Sequence, residues 1–83
     1  MPVIYIINGI LISMFGFDHN PSHIHVRYGE YEFTISLDDR IVKGSAPMKV
    51  INEVNNFIDS HLDELKALWE VAKNGGEIKK IKR

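Results

Sequence analysis

The segment from residue 23 to residue 37 alternates between polar and apolar residues so regularly that a β-hairpin can be registered from the sequence alone. Two strands, His23–Tyr28 and Tyr31–Leu37, flank Gly29-Glu30, and a Gly-X pair favours a type II′ turn. In that register one face is apolar and the other polar, and a slip of one residue would mix the two faces. The predicted pairs are Tyr28–Tyr31, Val26–Phe33 and Ile24–Ile35 on the apolar face, and Arg27–Glu32, His25–Thr34 and His23–Ser36 on the polar face.

The residues around this hairpin extend the predicted sheet. Val3–Ile7 is rich in β-branched residues, Asn8-Gly9 is a strong turn signal, and Ile10–Phe15 returns as a second strand. Ile41–Lys43 is expected to form a short edge strand. We therefore predict an antiparallel β-meander of four to five strands.

Apolar residues in the second half of the chain have helical spacing. Ser45 is the predicted N-cap, with Pro47 in the first turn. One straight helix over 47–73 would be roughly 40 Å long, which exceeds the span of a compact domain of this size. A break is therefore expected, and Ser60–Asp63 resembles a capping box that would start a second helix. The predicted fold is α+β, with two C-terminal helices packed on one face of the meander.

The composition is that of one small domain. The 83 residues carry a net charge of −1 and no cysteine, which excludes disulfides, cysteine-ligated zinc and thiol catalysis. We expect a single domain over 1–83, β-rich over 1–44, helical over 46–74, with a basic tail over 77–83. The apolar N-terminal stretch lacks the basic start of a signal peptide and the length of a membrane span. A cytoplasmic protein without a membrane segment is therefore expected.

Three of the four histidines lie close together in the sequence. His19, His23 and His25 follow Asp18 in and after an Asp-His-Asn-Pro turn. His23 and His25 are two residues apart on a predicted strand, so both point to the polar face. Imidazole can act as a base, an acid or a metal ligand near neutral pH. Asp18, His19, His23 and His25 are therefore the candidate catalytic residues.

Spacing alone leaves three interpretations of this cluster open. In the first, His19, His23 and His25 hold zinc or another divalent transition metal. In the second, which needs no metal, one histidine is the base, another is the acid, and Arg27 holds a phosphate. In the third, Asp18 or His19 caps the turn and the other two histidines are solvated strand residues.

Basic residues outside the cluster are candidate phosphate contacts. Arg27 is one, although its predicted neighbour Glu32 makes an exposed ion pair the more ordinary interpretation. Lys79 and Lys80 in the basic tail are the others, although a frayed tail is the commoner structure. Trp69 lies on a helical stripe and is expected in the core.

The chain resembles a family of small bacterial proteins known as a domain of unknown function. Members open with Met-Pro-Val-Ile and carry Asp-His-Asn-Pro-x-His-x-His-x-x-Tyr-Gly-Glu-Tyr, matched here by Met1–Ile4 and Asp18–Tyr31. A helical Trp-Glu matches Leu68-Trp69-Glu70, and a closing Gly-x-x-x-Lys-Lys-Ile matches 75–81. The resemblance covers essentially the whole chain, with Ser22 standing where the family often has a second proline.

This resemblance implies a function that the spacing does not. Some members are classed as toxins of type II toxin–antitoxin modules, the DhiT type, and toxins of this size usually act on RNA or on translation. The expected function is therefore a toxin-like component, with a small antitoxin-like protein and RNA as partners. Ribonuclease-type activity follows by analogy only. Asp18, His19, His23 and His25 carry over as functional positions without assigned roles.

For the catalytic interpretation we expect His23 and His25 to be the acid–base pair, oriented by His19 and Asp18, with no cofactor. The competing class is a non-catalytic metal-binding or protein-interaction module. The sequence leaves open whether the chain forms a homodimer.

Overall fold

The computed structural model describes residues 3–16 and 19–81, and within them a five-stranded sheet is followed by one helix. The elements are β1 (Val3–Ile7), β2 (Ile10–Ser13), β3 (His23–Tyr28), β4 (Tyr31–Ser36), β5 (Val42–Gly44) and α1 (Met48–Lys73). The strands lie in the order β1-β2-β3-β4-β5, and all neighbours are antiparallel. The predicted α+β class and the β-meander are confirmed, with five strands.

The register of the β3–β4 hairpin is the predicted one. Every predicted pair on both faces is a pair of Cα partners. Gly29 has a φ of +59°, as the first position of a type II′ turn requires. The β1–β2 hairpin turns at Asn8-Gly9, whose φ angles of +48° and +79° fit a type I′ turn. Local turn chemistry therefore sets both hairpins.

The hydrophobic core lies between α1 and the apolar face of the sheet. Burial of these side chains is the main force that holds the two layers together. The strand residues of the core include Ile4, Ile10, Ile12, Ile24, Val26, Phe33 and Ile35, and its helix residues are Val50, Val54, Phe57, Ile58, Leu65, Trp69 and Ala72. The helix therefore packs on the apolar face of the sheet, the face that carries Ile24 and Val26 of β3.

The prediction of two C-terminal helices is wrong, because α1 is one helix with a kink. It runs from Met48 to Lys73, and only His61 has non-helical angles (φ −128°, ψ 23°). The Ser60 hydroxyl donates to the Asn56 carbonyl oxygen (3.0 Å) instead of capping a new helix, and such a bond bends a helix without ending it. A straight helix of this length would measure about 39 Å, whereas the longest extent of the domain is 33 Å.

The N-terminus of α1 also differs from the prediction. The N-cap is Pro47, and no side chain caps the helix. Ser45, the predicted N-cap, donates its backbone N–H to the Glu32 carbonyl oxygen (3.4 Å). That bond ties Ser45 to β4, so the helix begins only after the chain has left the sheet.

The C-terminal segment docks beside β1. The Ile81 N–H donates to the Ile4 carbonyl oxygen at 2.8 Å, and the Ile81 side chain is buried. This bond brings the two ends of the described chain together at the β1 edge. Over residues 3–16 and 19–81, no helix combines the length and the apolar character needed to cross a membrane.

Candidate functional site

His25 lies in a row of side chains that crosses four strands on the polar face. Ser13 pairs with His25, His25 with Thr34, and Thr34 with Lys43. Neighbouring strands are about 4.8 Å apart, so Lys43 lies two strands, roughly 10 Å, from His25. The register therefore puts Lys43 on the same face as His25, and its long, flexible side chain can contact an anion bound on that face.

The two β3 histidines lie side by side. The ring centroids of His23 and His25 are 5.2 Å apart, and the ring planes are inclined by 54°. Phe15 meets His25 edge-on at 4.3 Å, and Trp69 lies 5.0 Å from His23. The predicted adjacency of the imidazoles is confirmed. The rings are half-buried beside aromatic neighbours rather than fully in water.

A backbone carbonyl orients the His23 ring. Its Nδ1 lies 2.9 Å from the Pro21 carbonyl oxygen. Because a carbonyl can only accept, Nδ1 carries the hydrogen, and the basic lone pair of the neutral ring is on Nε2. The same bond survives protonation of the ring. The contact with the Pro21 carbonyl oxygen therefore sets both the orientation and the tautomer of the His23 ring.

The helix positions the loop that supplies this carbonyl. The indole Nε1–H of Trp69 donates to the side-chain oxygen of Asn20 at 3.1 Å, and the Asn20–Pro21 peptide bond is cis. Trp69 is buried in the core, as predicted, yet it also contacts both the loop and His23. One core residue thus links the packing of α1 to the geometry of the site.

Two cavities meet at the histidine row. The His25 cavity, of about 340 Å³, is lined by Ser13, Phe15, His25, Val26, Arg27, Glu32, Phe33, Thr34 and Lys43. The His23 cavity, of about 350 Å³, is lined by His19, Asn20, Pro21, His23, Thr34, Ser36, Asp39, Ile41 and Lys43. Each cavity holds one of the paired imidazoles, and Thr34 and Lys43 line both. The two cavities therefore share a threonine and a lysine, and each is lined by one of the paired histidines.

The turn before β5 is held by a small polar network. The Ser36 hydroxyl donates to the Asp39 carboxylate and accepts from the Ile41 N–H (2.8 Å). The bond from Ser36 is the main reason that the pKa of the Asp39 carboxyl is lowered from its ordinary value of 3.8, against an opposing effect of desolvation. The network holds the turn between β4 and β5, and the conformation of this turn determines where β5 and its residue Lys43 begin.

The same turn is anchored to α1. Arg40, which has a φ of +59°, contacts Asp59 (2.8 Å) and donates to Asn55 (3.2 Å). Asp38 pairs with Lys66 at 2.5 Å. These contacts tie the β4–β5 connection to the helix on either side of its kink.

The other predicted site residues are not all brought together. His19 lines the His23 cavity, whereas Asp18 lies outside the described residues. Arg27 lines the His25 cavity and pairs with Glu32 at 3.3 Å, with 53% and 69% of the two side chains exposed. That is the exposed ion pair expected from sequence.

The basic tail lies elsewhere. Lys80 lines a separate cavity along β1 with Ile81, and Lys79 is exposed beside it. β1 and β5 are opposite edges of the sheet. The lysine that lines both histidine cavities is Lys43, and the tail lysines are not among their lining residues.

The alternative metal site does not assemble among the residues that the structure describes. Over 3–16 and 19–81, no three histidine, aspartate or glutamate side chains converge in a way that could hold a metal ion. His19 and His23 line one cavity and His25 the other. Among the described residues, the closest pair of imidazoles is that of His23 and His25.

Sequence reasoning missed three residues of this site. The sequence predicts an edge strand at Lys43 without its register, and only the Thr34–Lys43 pairing shows that Lys43 lies on the same face as His25. For Trp69, the sequence predicts a place in the core alone. The third residue is Phe15, and the alternation of the predicted strand Ile10–Phe15, which puts it on the same face as Ser13, is the signal that could have found it.

Fold and site together define a small α+β domain whose third strand carries a pair of adjacent histidines, one of which contacts Trp69 of the helix. Residues 9–70 match the family described as a domain of unknown function, DUF4160, and the chain belongs to that family. No curated protein matches the chain. No solved structure matches it either.

Proposed function

We propose that this protein is an RNA-cleaving enzyme in which His23 and His25 act as an acid–base pair without a metal. The observation that carries the proposal is the pair of imidazoles at 5.2 Å, placed where two cavities meet beside Lys43. A phosphodiester whose two sides enter the two cavities has its phosphate at this boundary. One imidazole then faces each of the two oxygens between which the phosphoryl group passes.

The reaction that such a pair can catalyse is transfer of the phosphoryl group from the 5′ oxygen of one nucleotide to the 2′ oxygen of the nucleotide before it. The 2′-hydroxyl oxygen forms a bond to phosphorus while one imidazole accepts its proton. The bond from phosphorus to the 5′ oxygen breaks, and that oxygen takes a proton from the other imidazole, which starts the reaction as imidazolium. The products are a 2′,3′-cyclic phosphate and a 5′-hydroxyl end, so no water or oxidant is consumed.

Charge on the site supports this reaction. Negative charge builds on the phosphoryl oxygens as the 2′ oxygen attacks, and an ammonium held next to them stabilises that state more than the ground state. Lys43 is the lining residue of both cavities that can supply this charge. Its place is set by the Ser36–Asp39 network and by the anchoring of Arg40 to α1.

The physiological role that we propose is that of a toxin-like component, restrained by a small antitoxin-like partner. The support for this role is the likeness of the histidine motif to that of DhiT-type toxins. An RNA-cleaving activity would account for toxicity, because it removes messages or translation components. The partner is proposed on the same support.

The decisive experiment uses two substitutions, each of which replaces one of the paired imidazoles by an amide that cannot act as a general acid or base. His23→Asn retains a side-chain donor that can reach the Pro21 carbonyl oxygen but has no Nε2, and His25→Asn is its counterpart in the other cavity. The purified protein is incubated with a defined RNA in excess EDTA, and the ends of the fragments are identified. We expect 2′,3′-cyclic phosphate ends, and a rate reduced by at least about 100-fold in each variant.

Two controls complete this experiment. His61→Asn changes the one described histidine that lies in the helix, away from the cavities, and is expected to cleave at the wild-type rate. Circular dichroism and thermal melts establish that all variants fold. Cleavage that stops in EDTA contradicts the metal-free mechanism, and cleavage that is unchanged in His23→Asn and His25→Asn contradicts the acid–base pair. The absence of any cleavage by the folded wild-type protein contradicts the proposal as a whole and leaves the non-catalytic binding module. Growth arrest on expression that persists in both variants contradicts a histidine-dependent toxin.

A further inference from the structure

We infer that the His25 cavity is a guanine-binding subsite, so that cleavage follows guanosine. This inference rests on the proposed function, because it names the nucleotide on the attacking side of the phosphate. It is carried by four of the residues that line the cavity together with His25. They are Phe15, Arg27, Glu32 and Lys43.

The cavity combines an aromatic wall with an acceptor and a donor on the same face of the sheet. Phe15 meets His25 edge-on, and its half-buried ring lines the cavity. Arg27 and Glu32 are direct cross-strand partners, one step along β3 from His25. Unpaired bases in RNA are recognised by stacking on aromatic rings and by hydrogen bonds along their edges. These three side chains provide both kinds of contact.

The Arg27–Glu32 pair matches guanine better than the other bases. A carboxylate has two acceptor oxygens, and guanine presents two adjacent donors, N1–H and the exocyclic amino group. Adenine has an acceptor at N1 facing that position, cytosine has one at N3, and uracil has a single donor between two carbonyls. Guanine also offers the acceptors O6 and N7 to a guanidinium. Arg27 has five N–H donors, more than its contact with Glu32 uses.

The position of this subsite assigns the roles of the two histidines. A nucleotide whose base lies against Arg27 and Glu32 presents its ribose to His25. His25 is then the base that accepts the 2′-hydroxyl proton. His23, whose Nδ1–H is held by the Pro21 carbonyl oxygen, is the acid that delivers a proton from Nε2 to the 5′ oxygen. The nucleotide that leaves occupies the His23 cavity.

The test compares DNA oligonucleotides that each contain one ribonucleotide, guanosine, adenosine, cytidine or uridine, at the same place. Only that sugar has a 2′-hydroxyl, so each rate reports one base. We expect the guanosine substrate to be cleaved fastest. Glu32→Gln replaces one acceptor by a donor and should reduce the preference for guanosine by about 10-fold, the size of one lost bidentate contact. Glu30→Gln, the same change in the exposed turn, should leave the preference unaltered.

Binding of the 3′-mononucleotides to the full chain separates this inference from the proposed function. Preferential binding of guanosine 3′-monophosphate, lost in Glu32→Gln but kept in Glu30→Gln, supports the subsite even if no RNA is cleaved. Free guanosine triphosphate, bound as tightly as guanosine 3′-monophosphate by a protein that cleaves no RNA, assigns the subsite to a free nucleotide and contradicts its role in RNA. Histidine-dependent cleavage at equal rates after all four bases overturns the subsite and leaves the proposed function standing. If the folded protein neither cleaves RNA nor binds guanosine 3′-monophosphate selectively, both the subsite and the proposed function are overturned.

Discussion

The indole N–H of Trp69 donates a 3.1 Å hydrogen bond to the side-chain oxygen of Asn20, a residue 49 positions earlier in the chain. The donor sits in the core, and the acceptor sits in the loop that carries the carbonyl oxygen contacting His23. Local secondary-structure propensities cannot predict this bond, since it depends on where the C-terminal part of α1 packs. It makes the position of His23 dependent on the packing of the helix.

Removing this bond is expected to loosen the site more than the core. Trp69→Phe keeps an aromatic ring but has no N–H, and Asn20→Ala removes the acceptor. A double-mutant cycle in urea unfolding should give a coupling free energy of about 1 kcal/mol. Each single variant should also lower the rate of RNA cleavage. Strict additivity of the two substitutions would show that the bond contributes nothing to stability.

Gly44 is expected to be essential for the position of β5. It has a φ of +112°, and an added Cβ would lie 2.4 Å from the Glu32 carbonyl oxygen and 2.9 Å from the Phe33 Cα, both of which are backbone atoms. Gly44→Ala should therefore destabilise the fold by about 3 kcal/mol, through an unfavourable φ and a clash. It should also displace Lys43 and reduce cleavage.

The matched control for that substitution is Gly29→Ala. Gly29 also has a positive φ, +59°, but an added Cβ there meets no atom within 4 Å. Only the backbone cost remains, about 1 kcal/mol. Chemical denaturation of the two variants measures the difference, and equal losses of stability would contradict the clash at β5.

Arg27 on β3 and Arg40 in the turn before β5 are expected to differ in their contribution to stability. Arg40 is mostly buried, with 24% of its side chain exposed, and contacts Asp59 and the Leu37 carbonyl oxygen. Arg40→Ala should lower the free energy of unfolding by about 2 kcal/mol, because it removes several charge-assisted hydrogen bonds. Arg27→Ala removes an exposed pair with Glu32 and should change stability by less than about 1 kcal/mol. The reverse order in urea unfolding would refute the anchoring role of Arg40.

Acid should destabilise the turn through Asp39. Its pKa is lower in the folded chain than its ordinary value of 3.8, mainly because the Ser36 hydroxyl donates to the carboxylate. A lowered pKa stabilises the fold fully above pH 3.8, and the stabilisation is lost as the pH falls through the folded-state pKa, since protons then bind preferentially to the unfolded chain. Asp39→Asn should abolish this part of the pH dependence, measured by denaturation between neutral and acidic pH.

The control for this pH series is Asp63→Asn, which removes one charge from an exposed position of α1. It accounts for the change in net charge alone. If the free energy of unfolding of Asp39→Asn falls with acid as steeply as that of the wild type, other groups are responsible for the acid dependence.

The sheet was predictable because its determinants are local. The alternation in β3 and β4 and the turns at Asn8-Gly9 and Gly29-Glu30 fix two hairpins. The number of helices was not predictable from the sequence, because the Ser60 hydroxyl can either cap the start of a new helix or accept a place within a continuous helix by bonding to the carbonyl oxygen four residues earlier. Only the packing of both halves of α1 against a single sheet favours the second outcome.

The candidate site was predictable to the same extent. The pairing of His23 with His25 follows from strand alternation, and their adjacency is found in the structure. Lys43 could not be assigned, because a short strand carries too few side chains to specify its own register. The contact with Trp69 could not be assigned either, since it joins residues from opposite halves of the chain.

The bond from Ile81 to Ile4 has a consequence for engineering. It places both extremities of the described fold at the border of the sheet opposite β5, so that a short peptide could bridge them. The polypeptide could then be reopened between Gly29 and Glu30, giving a permuted protein with the same hairpin pairing and a different order of synthesis. Attachment of a dye or a solid support beside Ile4 or Ile81 would likewise lie at the edge of the sheet formed by β1, two strands away from the imidazole pair on β3.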